Sequence, residues 1–205
     1  MNERTLIDRL LSPAGFGLAL LLFLLPFLSV SCSTEEGPVV ATFSGVDMVV
    51  GGEPDLRAPT TDQEAQEAQR TIVAIFQDRL DAEPLAILAV LAILFGMGAG
   101  LVRLRLARHA ISAGLAVVAI ALIAGAFVRS SSRVGDALRS LSDSPEPVAY
   151  QVQMRYGFWL CVGALSALTF GHLFGLLRAW KAPPTARRAE ADPADIEFLG
   201  TEREE

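Results

Sequence analysis

The chain has 205 residues, 52% of them hydrophobic, with a mean hydropathy of +0.42 and a formal net charge of -6. Only 20% are charged, and the apolar residues lie in long blocks, which excludes an ordinary soluble domain in favour of a membrane protein. The acidic balance argues against a nucleic-acid partner, and the two cysteines, Cys32 and Cys161, have no CxxC or Cys/His ligand spacing, so neither a zinc site nor any other cofactor is expected.

Residues 1–12 carry Arg4 and Arg9 and read as a cytoplasmic N-terminus. Residues 13–31 are nearly all Leu, Ala, Phe and Gly, matching the roughly 20 apolar residues needed to cross ~30 Å of hydrocarbon. This is the first expected span, with Pro26 near its outer end, where a kink costs least. A basic start before an apolar run also fits a signal peptide, with Cys32 as the acylated residue of a lipoprotein. Ser29 stands where such signals carry an aliphatic residue, and three later apolar runs favour a retained helix.

Residues 32–83 read as an extracytoplasmic loop. Val39, Ala41 and Phe43 alternate with Val40, Thr42 and Ser44; Val46, Met48 and Val50 alternate with Asp47 and Val49. This period-2 pattern predicts a hairpin over 38–50, turning at Ser44-Gly45. Gly51, Gly52, Pro54 and Pro59 then interrupt regular structure. Thr61-x-x-Glu64 has capping-box form, and Ala65, Ala68, Ile72, Ile75, Phe76 and Leu80 follow at helical spacing, predicting an amphipathic helix over 62–82 that packs on the hairpin.

Pro84 suits a first helical turn, so 84–102 is the second span. Its Gly96-x-x-x-Gly100 permits close helix approach, within one subunit or in oligomerisation through small-residue faces. Residues 103–108 form a tight basic inner loop, 109–128 the third span, and 129–155 a second outer loop with a short helix over 134–141 and a strand over 148–154. Residues 156–177 form the fourth span, with Tyr156 and Trp159 at one end and Trp180 past the other, where aromatic rings prefer the headgroup layer. Residues 178–205 read as a disordered cytoplasmic tail, in which 195–199 has the look of a short docking motif.

Orientation follows from the short loops. Arg103, Arg105 and Arg108, and beyond the fourth span Arg178, Lys181, Arg187 and Arg188, place both termini inside a plasma (inner) membrane. The first long loop has Arg57, Arg70 and Arg79 against a large acidic excess, which suits the outside. Arg129, Arg133, Arg139 and Arg155 run against the rule and are accepted as external because four spans tie their loop to the first one's side.

Little chemistry is legible. His172 is the titratable residue well inside a span, a functional candidate because such a residue is costly there, against the simpler reading of a neutral packing histidine. No G-x-S-x-G, HExxH or phosphate-binding Gly loop occurs, and the acidic spacing of the first loop does not match an EF-hand. No catalytic or metal-binding residues are therefore named. Cys32 and Cys161, both near the outer ends of spans, are candidates for a disulfide in an oxidising compartment. Asp47, Met48, Glu53 and Asp55 are candidates for an exposed partner surface.

FLSVSC at 27–32, ATFSGVDMVVGG at 41–52 and YGFWL at 156–160 resemble uncharacterised bacterial four-span membrane proteins. In those the first helix leaves the membrane through a Ser-Cys pair and a strand with a Thr/Ser-Gly-x-Asp turn follows. The layout of loops is similar to that of claudin-like tetraspans, by architecture alone, since the tryptophan-rich, two-cysteine loop signature is missing. The expected fold is a membrane α-helical one: a four-helix transmembrane bundle with a small extracytoplasmic α/β cap, in which the hairpin pairs with the strand at 148–154. The expected function is non-enzymatic: a scaffold, assembly partner or envelope sensor whose partners are the lipid bilayer and another membrane or envelope protein. The alternative is a small permease or transporter accessory subunit using the bundle and His172.

Overall fold

The computed structural model describes residues 3–34, 37–52, 55–57, 82–100, 105–141 and 150–181. The fold is mostly helical, with a small antiparallel sheet. In chain order the elements are α1 (Glu3–Leu22), β1 (Pro26–Thr34), β2 (Gly37–Ser44), α2 (Gly45–Val50), β3 (Asp55–Arg57), α3 (Pro84–Ala99), α4 (Arg105–Leu141), β4 (Tyr150–Met154) and α5 (Tyr156–Lys181). Two helices contain segments long and apolar enough to cross a membrane, Leu106–Asp136 in α4 and Tyr156–Arg178 in α5. Ser12–Leu22 and Pro84–Ala99 are shorter apolar helices. At 1.5 Å per residue the latter spans about 24 Å, less than a hydrocarbon core by itself.

The first helix departs from expectation. It stops at Leu22, and the expected outer third of the first span is strand β1. Pro26 has no amide to donate, and it disfavours helical geometry at the residue before it. The chain turns through i→i-3 bonds, Phe23 N to Leu20 O, Leu24 N to Leu21 O and Leu25 N to Leu22 O, all 3.0–3.1 Å. The run Phe27-Leu28-Ser29-Val30 is apolar because both faces of β1 are covered, not because lipid surrounds it: all four residues are buried. A central strand buried on both faces and a membrane helix have the same hydropathy.

The hairpin is also displaced. β1 and β2 pair antiparallel from Pro26↔Ser44 to Thr34↔Gly37, so the hairpin covers 26–44 and the expected turn at Ser44-Gly45 is instead the start of α2. The expected strand at 148–154 is present as β4, but it pairs with β1 (Leu28↔Met154 to Cys32↔Tyr150) and not with a strand inside 38–50. With β3 on the other side of β2, the order is β3-β2-β1-β4. The expected third span and the short helix at 134–141 form one continuous helix, α4, which begins inside the expected inner loop; α5 likewise continues to Lys181. The expected helix at 62–82, Glu53 and the tail beyond 181 lie outside the described residues.

Two apolar clusters hold these elements. Phe16, Ala19, Phe23, Phe27, Ala89, Ile93, Ala116, Ile123, Phe158 and Leu165 form the core among α1, α3, α4 and α5. Its alanines let helix axes approach closely, as membrane helix packing favours. Gly96 and Gly100 serve this packing within the chain: a Cβ at Gly96 would meet the Phe16 ring at 2.5 Å, and one at Gly100 would meet Pro13 at 3.1 Å. The second cluster lies under the sheet, where Leu28, Val30, Ala41 and Phe43 meet Val134 of α4. Alternation puts Ser29, Ser31, Thr42, Gln151 and Gln153 on the opposite face.

The sheet meets the helices most tightly at Gly157, where an added Cβ would lie 2.5 Å from Pro26 O and 2.9 Å from Leu25 Cβ. Gly163, two turns along the same helix, has nothing within 4 Å of such an atom. Gly157→Ala is expected to destabilise the protein by about 1–3 kcal/mol through overpacking. Gly163→Ala is expected to be neutral or stabilising by up to ~1 kcal/mol, from helix propensity. Thermal unfolding of the detergent-solubilised variants measures both, and equal effects at the two sites would refute this packing.

Candidate functional site

Two polar sites interrupt the apolar interior, one at each end of the helices. The first lies where sheet and helices join. Ser44 is the N-cap of α2: Asp47 N donates to Ser44 Oγ at 3.1 Å, while Ser44 N and Ser44 Oγ both donate to Asp47 Oδ2 at 2.7 Å. This reciprocal capping box explains the Ser44-Gly45-x-Asp47 sequence. Gly45 follows because a Cβ there would strike the Phe23 ring and carbonyl. The helix closes on Gly51, at φ 72°, and Asp47 O accepts from Gly51 N and Gly52 N, both 2.9 Å. Asp47 thus fastens both ends of α2.

α3 enters beside it. Glu83, just before Pro84, donates its amide to Met48 O at 2.8 Å and is only 3% exposed. Two arginines one turn apart on α4 meet its carboxylate: Arg133 Nη1 lies 2.9 Å from Oε2, and Arg129 Nε lies 3.7 Å from Oε1. Oε1 makes no hydrogen bond among the described residues. Asp47, Met48, Glu83, Ser130 and Arg133, with Leu28 and Phe43, line a cavity of about 20 Å³, room for roughly one water molecule. Nothing in the sequence pattern singled out Glu83, which reads as one acid among many in a long loop. Its position next to Pro84 and the i, i+4 spacing of the otherwise anomalous Arg129 and Arg133 were the available signals.

The second site lies at the opposite end. His172 of α5, 6% exposed, meets His109 of α4 with their Nδ1 atoms 3.1 Å apart and ring centroids 5.4 Å apart. These are the chain's two histidines. His109 sits against Gly175, where a Cβ would lie 2.9 Å from the imidazole, so Gly175 makes room for the pair, while a Cβ at Gly171 would meet nothing within 4 Å. Arg108, 4% exposed, immediately precedes His109 on α4. One turn further along α4, Ser112 Oγ is 3.4 Å from Ser12 Oγ of α1. One imidazole of the pair donates and the other accepts. A single added proton keeps that bond, and a second sets two N–H groups against each other. The sequence marked His172 but not its partner, since His109 falls at the very start of the expected third span.

The other expected site residues are scattered. Asp47 is half-buried and occupied in its capping box, Met48 is packed against the main core, Asp55 is exposed on β3, and Glu53 lies outside the described residues. The disulfide is not formed. Cys161 is a free, buried thiol whose Sγ donates to Ala19 O at 3.8 Å. Cys32 lies six residues beyond Pro26 along β1, about 20 Å of strand, whereas Cys161 follows Gly157, which abuts Pro26, into the helical core. Among the described residues no group of three or more His, Cys, Asp or Glu comes together to hold a metal. No family model matches the chain, and no curated protein or solved structure matches it.

The junction carries a stability prediction. Arg133→Ala leaves the buried Glu83 with one long-range partner, at an expected cost of about 1–3 kcal/mol, discounted because Arg133 is partly exposed. Adding Glu83→Gln removes the stranded charge and is expected to recover much of that loss. A double-mutant cycle on thermal unfolding reads the coupling, and strict additivity would show the ion pair to be idle.

Proposed function

We propose that the chain is a non-enzymatic integral membrane protein that acts through an extracytoplasmic cap as a scaffold, assembly partner or envelope sensor. The observation that carries this reading is the join between sheet and helices. β1 follows α1 after three residues, and β4 precedes α5 by one, Arg155, whose amide donates to Phe27 O at 2.9 Å. The far turns of α4 pack beneath the sheet through Val134. Such a cap is a rigid extension of three helices, suited to holding a partner at a fixed place and to passing strain between partner and bundle.

Four membrane-spanning helices are part of the proposal. Its support is the apolar belt that all four long helices turn outward: Leu21 of α1, Phe95 of α3, Val117 of α4 and Phe170 of α5 are each more than half exposed. In water that belt is an aggregation surface, and in lipid it is satisfied. Tyr156 and Trp159 at one end of α5 and exposed Trp180 at the other mark the two headgroup layers. The resemblance to four-span bacterial membrane proteins points the same way. We place the protein in the plasma membrane with both termini cytoplasmic and the sheet outside, since the basic residues Arg178 and Lys181 fall at the end far from the sheet.

A second reading, a small permease or transporter accessory subunit, has one observation in its favour, the His109–His172 contact between the two longest helices. His172→Ala is expected to leave solute flux in reconstituted vesicles unchanged under the first reading and to abolish it under the second.

Topology is tested in a background carrying Cys32→Ser and Cys161→Ser. A membrane-impermeant maleimide is expected to label Gln151→Cys in intact cells, and Lys181→Cys only after permeabilisation. The reverse pattern would overturn the orientation and with it the external cap. Stoichiometric partners retained in mild detergent are the direct sign of an assembly role.

A further inference from the structure

The two edges of the sheet are unlike. β3 offers three residues, Asp55-Leu56-Arg57, charged at both ends. Short, charged edges discourage the addition of another strand. β4 offers five, Tyr150-Gln151-Val152-Gln153-Met154, with no charge, proline or glycine, and with Gln151, Gln153 and Met154 exposed. Its own sequence has none of the charges or prolines by which proteins protect an edge.

Register fixes which of its backbone groups are available. Arg155 N donates to Phe27 O, so Phe27 and Arg155 are a hydrogen-bonded pair. Antiparallel ladders alternate bonded and non-bonded pairs, so Ser29–Gln153 and Ser31–Gln151 are bonded as well. The amides and carbonyls of Val152 and Met154 therefore point away from β1, and among the described residues no strand lies beyond β4. Beside this edge stands Arg155, half-buried.

We propose that the β4 edge is a docking strand that takes an extended segment of another envelope protein by strand addition. The segment bonds to the outward backbone of Val152 and Met154. Its side chains alternate, apolar where it continues the Val30–Val152 face and polar where it continues the Gln151–Gln153 face, and it carries a carboxylate at the end beside Arg155. This rests on the reading of the cap as a partner surface. A second copy of the chain does not fit. Phe127 and Val134, about two turns apart on α4, both touch the apolar face, so the sheet stands alongside that helix. Antiparallel self-pairing of β4 needs a two-fold axis perpendicular to the sheet, hence across α4, and would set the second copy's helices against the direction of the first.

The test uses the full chain in its native membrane with a photo-cross-linking residue, benzoylphenylalanine, at position 153, and measures the yield of a discrete adduct. Val152→Pro removes an outward amide without touching the ladder to β1, and Met154→Lys places a charge on the edge. Val152→Pro is expected to lower the adduct yield by about tenfold, as loss of a backbone hydrogen bond implies, and Met154→Lys to lower it through the edge charge, both with the thermal midpoint retained. If Val152→Pro does not fold, Met154→Lys decides the matter. Full yield in the folded variants would overturn strand addition while leaving a partner on the cap. No adduct from position 153, or from Ser31, Gln151 or Asp55 replaced in turn, would overturn the partner surface itself.

Discussion

Strand β1 is held on every side. Both edges of its backbone are paired, with β2 and with β4. Phe27 faces the helical core, and Leu28 and Val30 face α4. Its first residue abuts Gly157 at the start of α5. A nine-residue strand thereby fixes the relation of α1, α4 and α5 to one another. The buried Glu83 with its two arginines adds the fourth connection, bringing α3 under α2 and against α4. Both devices sit at one end of the molecule, so the sheet and the junction under it act as a collar on the helices.

Much of this was legible in the chain. The helical blocks, the strand at 148–154 and Pro84 as a first turn follow from composition and spacing. What was not legible shares one cause: hydropathy reports burial, not what does the burying. Residues 27–30 read as lipid-embedded helix, yet they are strand, and the clue was Pro26 together with Ser29 and Ser31. The alternation through Met48 and Val50 read as a second strand, yet the Ser44–Asp47 capping box, visible in the sequence, claims those residues for a short helix. Local hydrogen-bond chemistry outranked periodicity where the periodic run was only five residues long.

The site was less legible than the fold because its members come from distant parts of the chain. His109 and His172 are 63 residues apart, and Glu83 and Arg133 are 50. No spacing rule reaches across such gaps. What the sequence did contain were anomalies: two histidines in the whole chain, and arginines in a loop expected to be extracytoplasmic, where the positive-inside rule disfavours them. Each anomaly has a partner in the structure, Arg129 and Arg133 with Glu83, and His172 with His109. An ionisable residue that breaks a compositional rule was a better guide to the site than any motif.

Helix α4 runs 37 residues without interruption, about 55 Å, well beyond the ~30 Å of a hydrocarbon core. It reaches from the histidine pair at one end to the underside of the sheet at the other, and so acts as a ruler. The height at which the sheet is carried is set by a residue count along one rod. Phasing is set with it: each residue added or removed between His109 and Val134 would move the far end by about 1.5 Å and turn Val134 by about 100° off the sheet.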